Sequence, residues 1–258
     1  MKAIFLLSVL MFAYSCSTMK HSAKDSFAPN KVVAHRGAFK QNSFPENSIA
    51  SLRETIRLNC TGSEFDVRMT SDDTLMINHD PHYNQLDIEK TSYQELSRTP
   101  LSNGETIPTL RQYLLAGLKD NKQTRLVVEI KPSASKERGQ VIAEKVLTLV
   151  RELSAEQMVV YISFDYDILK KLKALDPKVS VQYLNGDRSP KQLKDDGMDG
   201  ADYNISVFKK FPEWIPMAKE NKIILNAWTV NNPDDMKWLL SQKFDFITTN
   251  EPELLLSL

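Results

Sequence analysis

Imidazole and charged side chains close a series of short apolar runs in this chain. His35-Arg36 follows Val32-Val33-Ala34, and His79-Asp80 follows Leu75-Met76-Ile77-Asn78. Glu64 and Asp66 flank Phe65, and Glu129 and Lys131 follow Leu126-Val127-Val128. Polar groups at the ends of buried strands are costly, so they concentrate where chemistry is done. Two imidazoles, three carboxylates and two cations make up the set needed to hydrolyse a phosphate ester.

Side chains two apart on a strand point the same way, so Glu64 and Asp66 share a face, as do Glu129 and Lys131. Carboxylates converging from neighbouring strands repel unless a cation lies between them. All-oxygen ligation suits Mg²⁺, Ca²⁺ or Mn²⁺ and not Zn²⁺. The competing reading is a set of buried ion pairs with Arg36, Arg68 and Lys131. Of the four histidines, His35 and His79 stand at strand ends. Facing one another they can serve as base and acid for one proton transfer each, whereas either alone could be structural. Arg36 and Lys131 form the cationic pair that would hold a phosphodiester and stabilise its developing charge. Glu46 opens the first helix, where it either neutralises the helix N-terminus or points into the site. Trp228 either walls off the organic part of a substrate or packs the core.

The elements that must position these groups alternate between β-rich runs and helical patterns. Strand candidates are Val32–His35, Ser63–Met69, Leu75–His79, Leu126–Lys131, Val159–Phe164, Val179–Leu184, Ala201–Asn204, Ile223–Thr229 and Phe244–Thr248. Helical periodicity is clearest at Ile49/Leu52/Ile56, Ile142/Val146/Leu149/Leu153 and Ile168/Leu169/Leu172/Leu175. Only residues 70–74 separate the second candidate from the third, too few for a parallel crossover, so these two pair as a hairpin. Leu75–His79 is then an excursion from the loop after strand two. Eight parallel strands remain, each followed by a helix, which predicts a (β/α)8 barrel with its site at the C-terminal strand ends. A doubly wound sheet would need a Gly-rich turn after the first strand, and His35-Arg36-Gly37 is not one. The stretch from Pro81 to Pro108 is long and polar and is expected to border the mouth.

Length and composition agree with this reading. The chain has 258 residues, 41% of them hydrophobic, enough for one barrel domain. Its 33 basic and 33 acidic residues balance without a basic stripe, which excludes a nucleic-acid partner. Lys2 precedes an apolar stretch over residues 3–13 that has the length and charge of an export signal and is short for a membrane span. Ala13-Tyr14-Ser15-Cys16 resembles a bacterial lipoprotein signal in which Cys16 becomes the lipidated first residue. The expected organisation is a signal peptide over 1–15, a polar tether over 16–30 and the barrel domain over 31–258. The protein would then be exported and held in the cell envelope, touching the membrane only through the lipid at Cys16. Cys60, the other cysteine, is expected as a small buried apolar residue.

Seven segments occur in order: Ala34-His35-Arg36-Gly37, Pro45-Glu46-Asn47-Ser48, Glu64-Phe65-Asp66-Val67, Asn78-His79-Asp80, Glu129-Ile130-Lys131, Ala227-Trp228-Thr229-Val230-Asn231 and Thr248-Thr249-Asn250-Glu251-Pro252. In these, from Val32 to Pro252, the sequence resembles the glycerophosphodiester phosphodiesterase family. The resemblance implies a (β/α)8 barrel and one divalent cation on Glu64, Asp66 and Glu129. It implies acid–base roles for His35 and His79, with Arg36 and Lys131 on phosphate. The implied reaction converts a glycerophosphodiester to glycerol 3-phosphate and an alcohol, either by direct water attack or through a cyclic phosphate formed by the substrate's own hydroxyl. Ser48 stands where Thr is usual, and Asn250 where Asp is usual, so the contact from Asn250 is expected to weaken. Pro81 to Asp87 replaces the family's common stretch after His79-Asp80, which bears on the leaving alcohol. Alternatives are a sphingomyelinase-D-like or lysophospholipase-D-like barrel, which would need an apolar mouth, or a non-catalytic binding lipoprotein, which would be expected to have lost a site residue.

Overall fold

The computed structural model describes residues 27–258. The segments expected as a signal peptide, 1–15, and as a tether, from Cys16 as far as residue 26, lie outside the described residues. The strands are β1 (Val32–Ala34), β2 (Gly62–Met69), β3 (Leu75–Ile77), β4 (His82–Tyr83), β5 (Leu86–Asp87) and β6 (Arg125–Ile130). They continue as β7 (Val159–Ser163), β8 (Val181–Tyr183), β9 (Gly200–Asn204), β10 (Ile224–Trp228) and β11 (Phe246–Thr249). The helices are α1 (Ile49–Arg57), α2 (Tyr93–Leu96), α3 (Leu110–Leu118), α4 (Lys136–Glu152) and α5 (Tyr166–Leu175). Five more follow: α6 (Pro190–Asp195), α7 (Ile205–Lys210), α8 (Trp214–Asn221), α9 (Pro233–Ser241) and α10 (Pro252–Leu256).

Strands β1, β2 and β6 to β11 run parallel, and β1 pairs with both β2 and β11, which closes the barrel. β3 runs antiparallel to β2, with Val67 opposite Ile77 and Met69 opposite Leu75. It is the predicted excursion. All nine expected strands are present, but several end earlier than expected. β1 stops at Ala34, β3 at Ile77 and β6 at Ile130, so His35, His79 and Lys131 are loop residues just past the strands. The site therefore stands on the first turns of the loops, anchored by rigid strands.

Period-two alternation sorts the strand residues into two layers. Phe65, Val67, Val128 and Ile130 face outward into the main core beneath the helices, with Leu52, Tyr113 and Leu169. Val33, Val127, Ile162 and Leu184 fill the barrel interior. Burial of Cys60 in the outer core pushes its thiol up to about 12, which leaves it inert at neutral pH.

Two local findings differ from the sequence reading. The stretch from Pro81 to Pro108 carries its own small core, in which Ile88, Leu96 and Ile107 pack on Met76. Its apolar residues are too widely spaced to register as a periodic pattern. Residues 27–30, assigned to the tether, dock on the barrel floor: the Arg125 guanidinium lies 3.9 Å from the Phe27 ring centre, and Ala28 N donates to Gln123 O at 3.0 Å. The first residues of β6 and β11, Arg125 and Phe246, lie at this pole, opposite the catalytic loops.

Candidate active site

β2 and β6 are aligned so that Asp66 lies beside Glu129. The inward face of β2 therefore carries Glu64 and Asp66 into contact with Glu129. One oxygen from each of the three lies within 4.8 Å of the others. Lys131 Nζ is 2.7 Å from Glu129 Oε1 and 3.3 Å from Asp66 Oδ1. Apart from these ion pairs with one ammonium, Glu64 Oε1, Asp66 Oδ1 and Glu129 Oε1 are buried with no other hydrogen-bond partner. Orphaned carboxylate oxygens are expensive unless a cation satisfies them. Three buried carboxylates, each offering an oxygen within 4.8 Å of the others, fit a hard divalent ion. The sequence alternative of simple ion pairs accounts for only part of this geometry.

The electrostatics carry the same tension. Burial, then repulsion from Asp66 and Glu129, holds the Glu64 carboxyl well above the usual carboxylate range. Burial, then Asp66, raises Glu129 to about 7. Burial would also raise Asp66, but Lys131 and a hydrogen bond from Asn47 outweigh it, so Asp66 sits below its ordinary value. Burial opposes the charge on Lys131, yet Asp66 and Glu129 win and hold its ammonium above the usual range.

Two left-handed residues aim the loops at this cluster. Arg36 has φ 55° and Asn47 φ 58°. That turn points Arg36 N at Glu64 Oε2, 2.8 Å away. Asn47 grips Asp66 from both sides: Nδ2 donates to Oδ2 at 2.8 Å, and Asp66 N donates to Asn47 Oδ1 at 3.2 Å. Gly37 follows at φ 81°, where an added Cβ would sit 2.4 Å from Ser51 Oγ, so the loop can close on α1 only with glycine. Backbone strain of this kind gathers at functional sites.

Arg36 Nη1 donates to Glu46 Oε1 at 2.8 Å, and its Nε lies 3.6 Å from Asp66 Oδ2. Glu46 thus holds Arg36 over the triad. The α1 N-terminus takes other partners: Ser48 caps it, and Ile49 N and Ala50 N donate to Glu105. Glu46 is paired with Arg36 and makes no hydrogen bond to the α1 N-terminal amides that Ser48 and Glu105 take.

The two histidines reach the site by different routes. His35 Nδ1 lies 2.7 Å from Asn250 Oδ1. An amide oxygen only accepts, so this contact puts the proton on Nδ1 and leaves the Nε2 lone pair free. Burial, then the Arg36 charge, lowers His35 to about 4, so the ring is neutral at physiological pH. His79 arrives on the excursion, where Asn78 N donates to Asp66 O at 3.0 Å. Its Nδ1 is 2.7 Å from Asp80 Oδ1, and its carbonyl accepts from Arg68 Nε and Nη2 at 2.9 and 2.7 Å.

His35, Arg36, Glu64, His79, Glu129 and Lys131 line one cavity of about 130 Å³ at the C-terminal end of the barrel. Its far side is Phe164, Leu184 and Trp228, with Asp202 and Thr248 at the base. Trp228 stands at the boundary of cavity and core. It lines the cavity, meets Phe164 edge-on at 5.4 Å between ring centres, and donates from Nε1 to Asp202 O at 2.8 Å.

Asn47, Asp80 and Asp202 had no role in the sequence reading. Asp202 was accessible to the alternation that identified Glu64: it lies between Ala201 and Tyr203, which face the outer core. Asn47 and Asp80 give no comparable signal, because what each does depends on a partner brought in by the fold.

The pattern of the glycerophosphoryl diester phosphodiesterase family matches residues 35–254. A glycerophosphodiester phosphodiesterase of Caldanaerobacter subterraneus subsp. tengcongensis is 29% identical over 241 residues, covering 88% of this chain and 96% of its own. Among solved structures, a glycerophosphodiester phosphodiesterase from Parabacteroides distasonis superposes with a TM-score of 0.86 at 38% identity, covering 90% of this chain and 97% of that one. An Oleispira antarctica phosphodiesterase, solved with the product sn-glycerol-3-phosphate, shares the fold at a TM-score of 0.76 and 22% identity, covering 88% of this chain and 95% of its own. With its closed barrel and clustered acids, the chain belongs to the glycerophosphoryl diester phosphodiesterase family.

Proposed function

We propose that this protein hydrolyses glycerophosphodiesters to glycerol 3-phosphate and an alcohol, using one divalent cation held by Glu64, Asp66 and Glu129. The observation that carries the reading is the cluster of three buried carboxylates, sharing one lysine ammonium, at a cavity that a neutral imidazole also lines. The oxygen-only donor set favours Mg²⁺ or Ca²⁺, with Mn²⁺ also compatible. A cation there would polarise the phosphoryl oxygen.

The chain's own residues supply the rest. Arg36 and Lys131 take the phosphate oxygens and oppose the charge that builds in the transition state. His35, neutral with Nε2 unprotonated, accepts the proton of the attacking hydroxyl, which belongs either to the substrate or to water. His79, oriented by Asp80, delivers a proton to the departing alcohol oxygen as its bond to phosphorus breaks. Incubating the mature protein with glycerophosphocholine, glycerophosphoethanolamine and glycerophosphoglycerol, followed by phosphorus NMR, tests the reading. Glycerol 3-phosphate should form, and EDTA should stop it. Turnover indifferent to the chelator would end the metal-dependent mechanism.

The same reading extends to location: an exported protein anchored by a lipid on Cys16. Phe27 and Ala28 dock at the pole opposite His35 and His79, so a tether from Cys16 would enter there and leave the mouth clear. Fractionation of cells carrying Cys16→Ser should move the protein from the membrane to the soluble fraction; retention in the membrane would refute the anchor.

A further inference from the structure

The base of the cavity holds a group that the proposed mechanism does not use. Asp202 is 1% exposed, and its Oδ1 has no hydrogen-bond partner. It lines the cavity, whose neighbouring interior residues Ile162 and Leu184 are aliphatic. Glu129 acts on it through charge and Asn226 through a side-chain hydrogen bond, with no cation among the groups, so it is the Oδ1 oxygen that is left unpaired. Asn226 is already engaged with Thr248, its Nδ2 donating to Thr248 Oγ1 at 3.0 Å. The strand is fixed by Trp228 Nε1 on the Asp202 carbonyl. An aliphatic residue would fill this layer at less cost than an unsatisfied carboxyl.

The geometry points to Asp202 as a specificity-determining residue that hydrogen-bonds the primary hydroxyl of the substrate's glycerol. This rests on the reading of the site as a glycerophosphodiesterase. Phosphate is confined to the end with Arg36, Lys131 and the triad, because an anion gains nothing beside a carboxyl without a cation. The secondary hydroxyl next to the phosphate lies within reach of His35. The primary hydroxyl is then the polar group left for the closed end, where Phe164, Leu184 and Trp228 offer only apolar contact. Hydroxyls both donate and accept, so one can satisfy Asp202 in either protonation state.

The test compares glycerophosphocholine with its analogue lacking the primary hydroxyl, propane-1,2-diol phosphocholine, which keeps the secondary hydroxyl. Wild-type kcat/KM should favour the glycerol compound by about 10–100-fold, the effect of stranding one buried polar partner. In Asp202→Leu that ratio should fall below about threefold, the deoxy compound losing little activity. Asp202→Asn should give an intermediate ratio, and as a near-isosteric change it covers the case in which the Leu variant does not fold. Calorimetric affinities for glycerol 3-phosphate and propanediol 1-phosphate should show the same ratio without turnover. A wild-type ratio near one, a ratio unchanged in both variants, or equal losses on both substrates overturns the Asp202 assignment while leaving the phosphodiesterase reading intact. An effect that follows the choline ammonium instead, read with glycerophosphoglycerol, also overturns it. Hydrolysis of neither compound by wild type overturns the parent reading and this one with it.

Discussion

Asn250→Asp is the most informative single change, because it alters the charge behind His35 and leaves the contact geometry alone. Asn250 Oδ1 sits 2.7 Å from His35 Nδ1, so an aspartate oxygen would occupy the same place with a full negative charge. His35 now titrates near 4 because burial and the Arg36 charge disfavour the imidazolium. A carboxylate at hydrogen-bond distance favours it, and opposite charges this close move a pKa by about 1–3 units. Each unit is about 1.4 kcal/mol, so the imidazolium gains about 1.4–4 kcal/mol. With a shift of about 2 units, the neutral fraction of His35 at about pH 5 falls from about 90% to about 10%, a roughly ninefold loss of base. At about pH 8 both rings are neutral, and the variant should match or exceed wild type. The assay is kcat/KM against pH at fixed cation concentration, with the histidine ring followed by NMR. The acid limb should move upward in pH. A second readout follows from linkage: a histidine held at about 4 when folded and 6.5 when unfolded costs stability as pH falls from 6.5 towards 4, up to about 3 kcal/mol. Asn250→Asp should shrink that loss. An acid limb that stays put, or moves down, would refute the assignment of His35 as the base.

Three further outcomes follow from the same geometry. Adding Mg²⁺ or Ca²⁺ at about 100 times Kd to stripped protein should stabilise it by about 2.7 kcal/mol, or roughly 5–11 °C in Tm by scanning calorimetry, and Glu129→Gln should abolish the rise. Asn47→Ala removes both hydrogen bonds to Asp66 and should cost about 1–3 kcal/mol in urea unfolding, with cation affinity falling about 10–100-fold by isothermal titration. His79→Ala should lower kcat by about 10²–10⁴-fold while calorimetry shows glycerol 3-phosphate affinity nearly unchanged; equal losses in both would mean that His79 binds phosphate instead.

What could be read from the sequence was what depends on local period. Glu64 and Asp66 alternate with Phe65 and Val67, and that pattern alone predicts two carboxylates on the inward face. The five-residue gap before Leu75 forces a hairpin, which is how His79 reaches the site from an excursion. Other features depend on tertiary contact. Arg36 and Asn47 adopt left-handed backbone where they meet Glu64 and Asp66, and no local preference of Arg signals it. Asn250 meets His35 across 215 residues of chain. Its identity was visible as a departure from the family's usual Asp, but the consequence, a neutral partner that only partly offsets the burial and the Arg36 charge that make His35 weakly basic, required the distance. Glu46 could not be resolved between helix terminus and site until Glu105, from the far end of the excursion, was seen at α1.

The division of the barrel into two poles explains why so many charges can be tolerated at one end. Phe27 and Arg125 lie at the floor, and Val33, Val127, Ile162 and Leu184 form an apolar layer above it. That layer separates the triad from the open depression around Phe27 and Arg125, and burial lowers the effective dielectric around Glu64 and Glu129. That raises the carboxyls and makes the cluster costly when it holds no cation. The same low dielectric strengthens any interaction with a divalent ion and with a phosphate whose charge grows in the transition state. The cost and the catalytic benefit therefore have one origin. An apolar floor residue exchanged for a polar one, such as Val127→Thr, should relieve the first and weaken the second: Glu129 should titrate lower, and kcat should fall although no catalytic group has been touched. A lower Glu129 titration with kcat unchanged would show that the dielectric below the triad does not contribute to the rate.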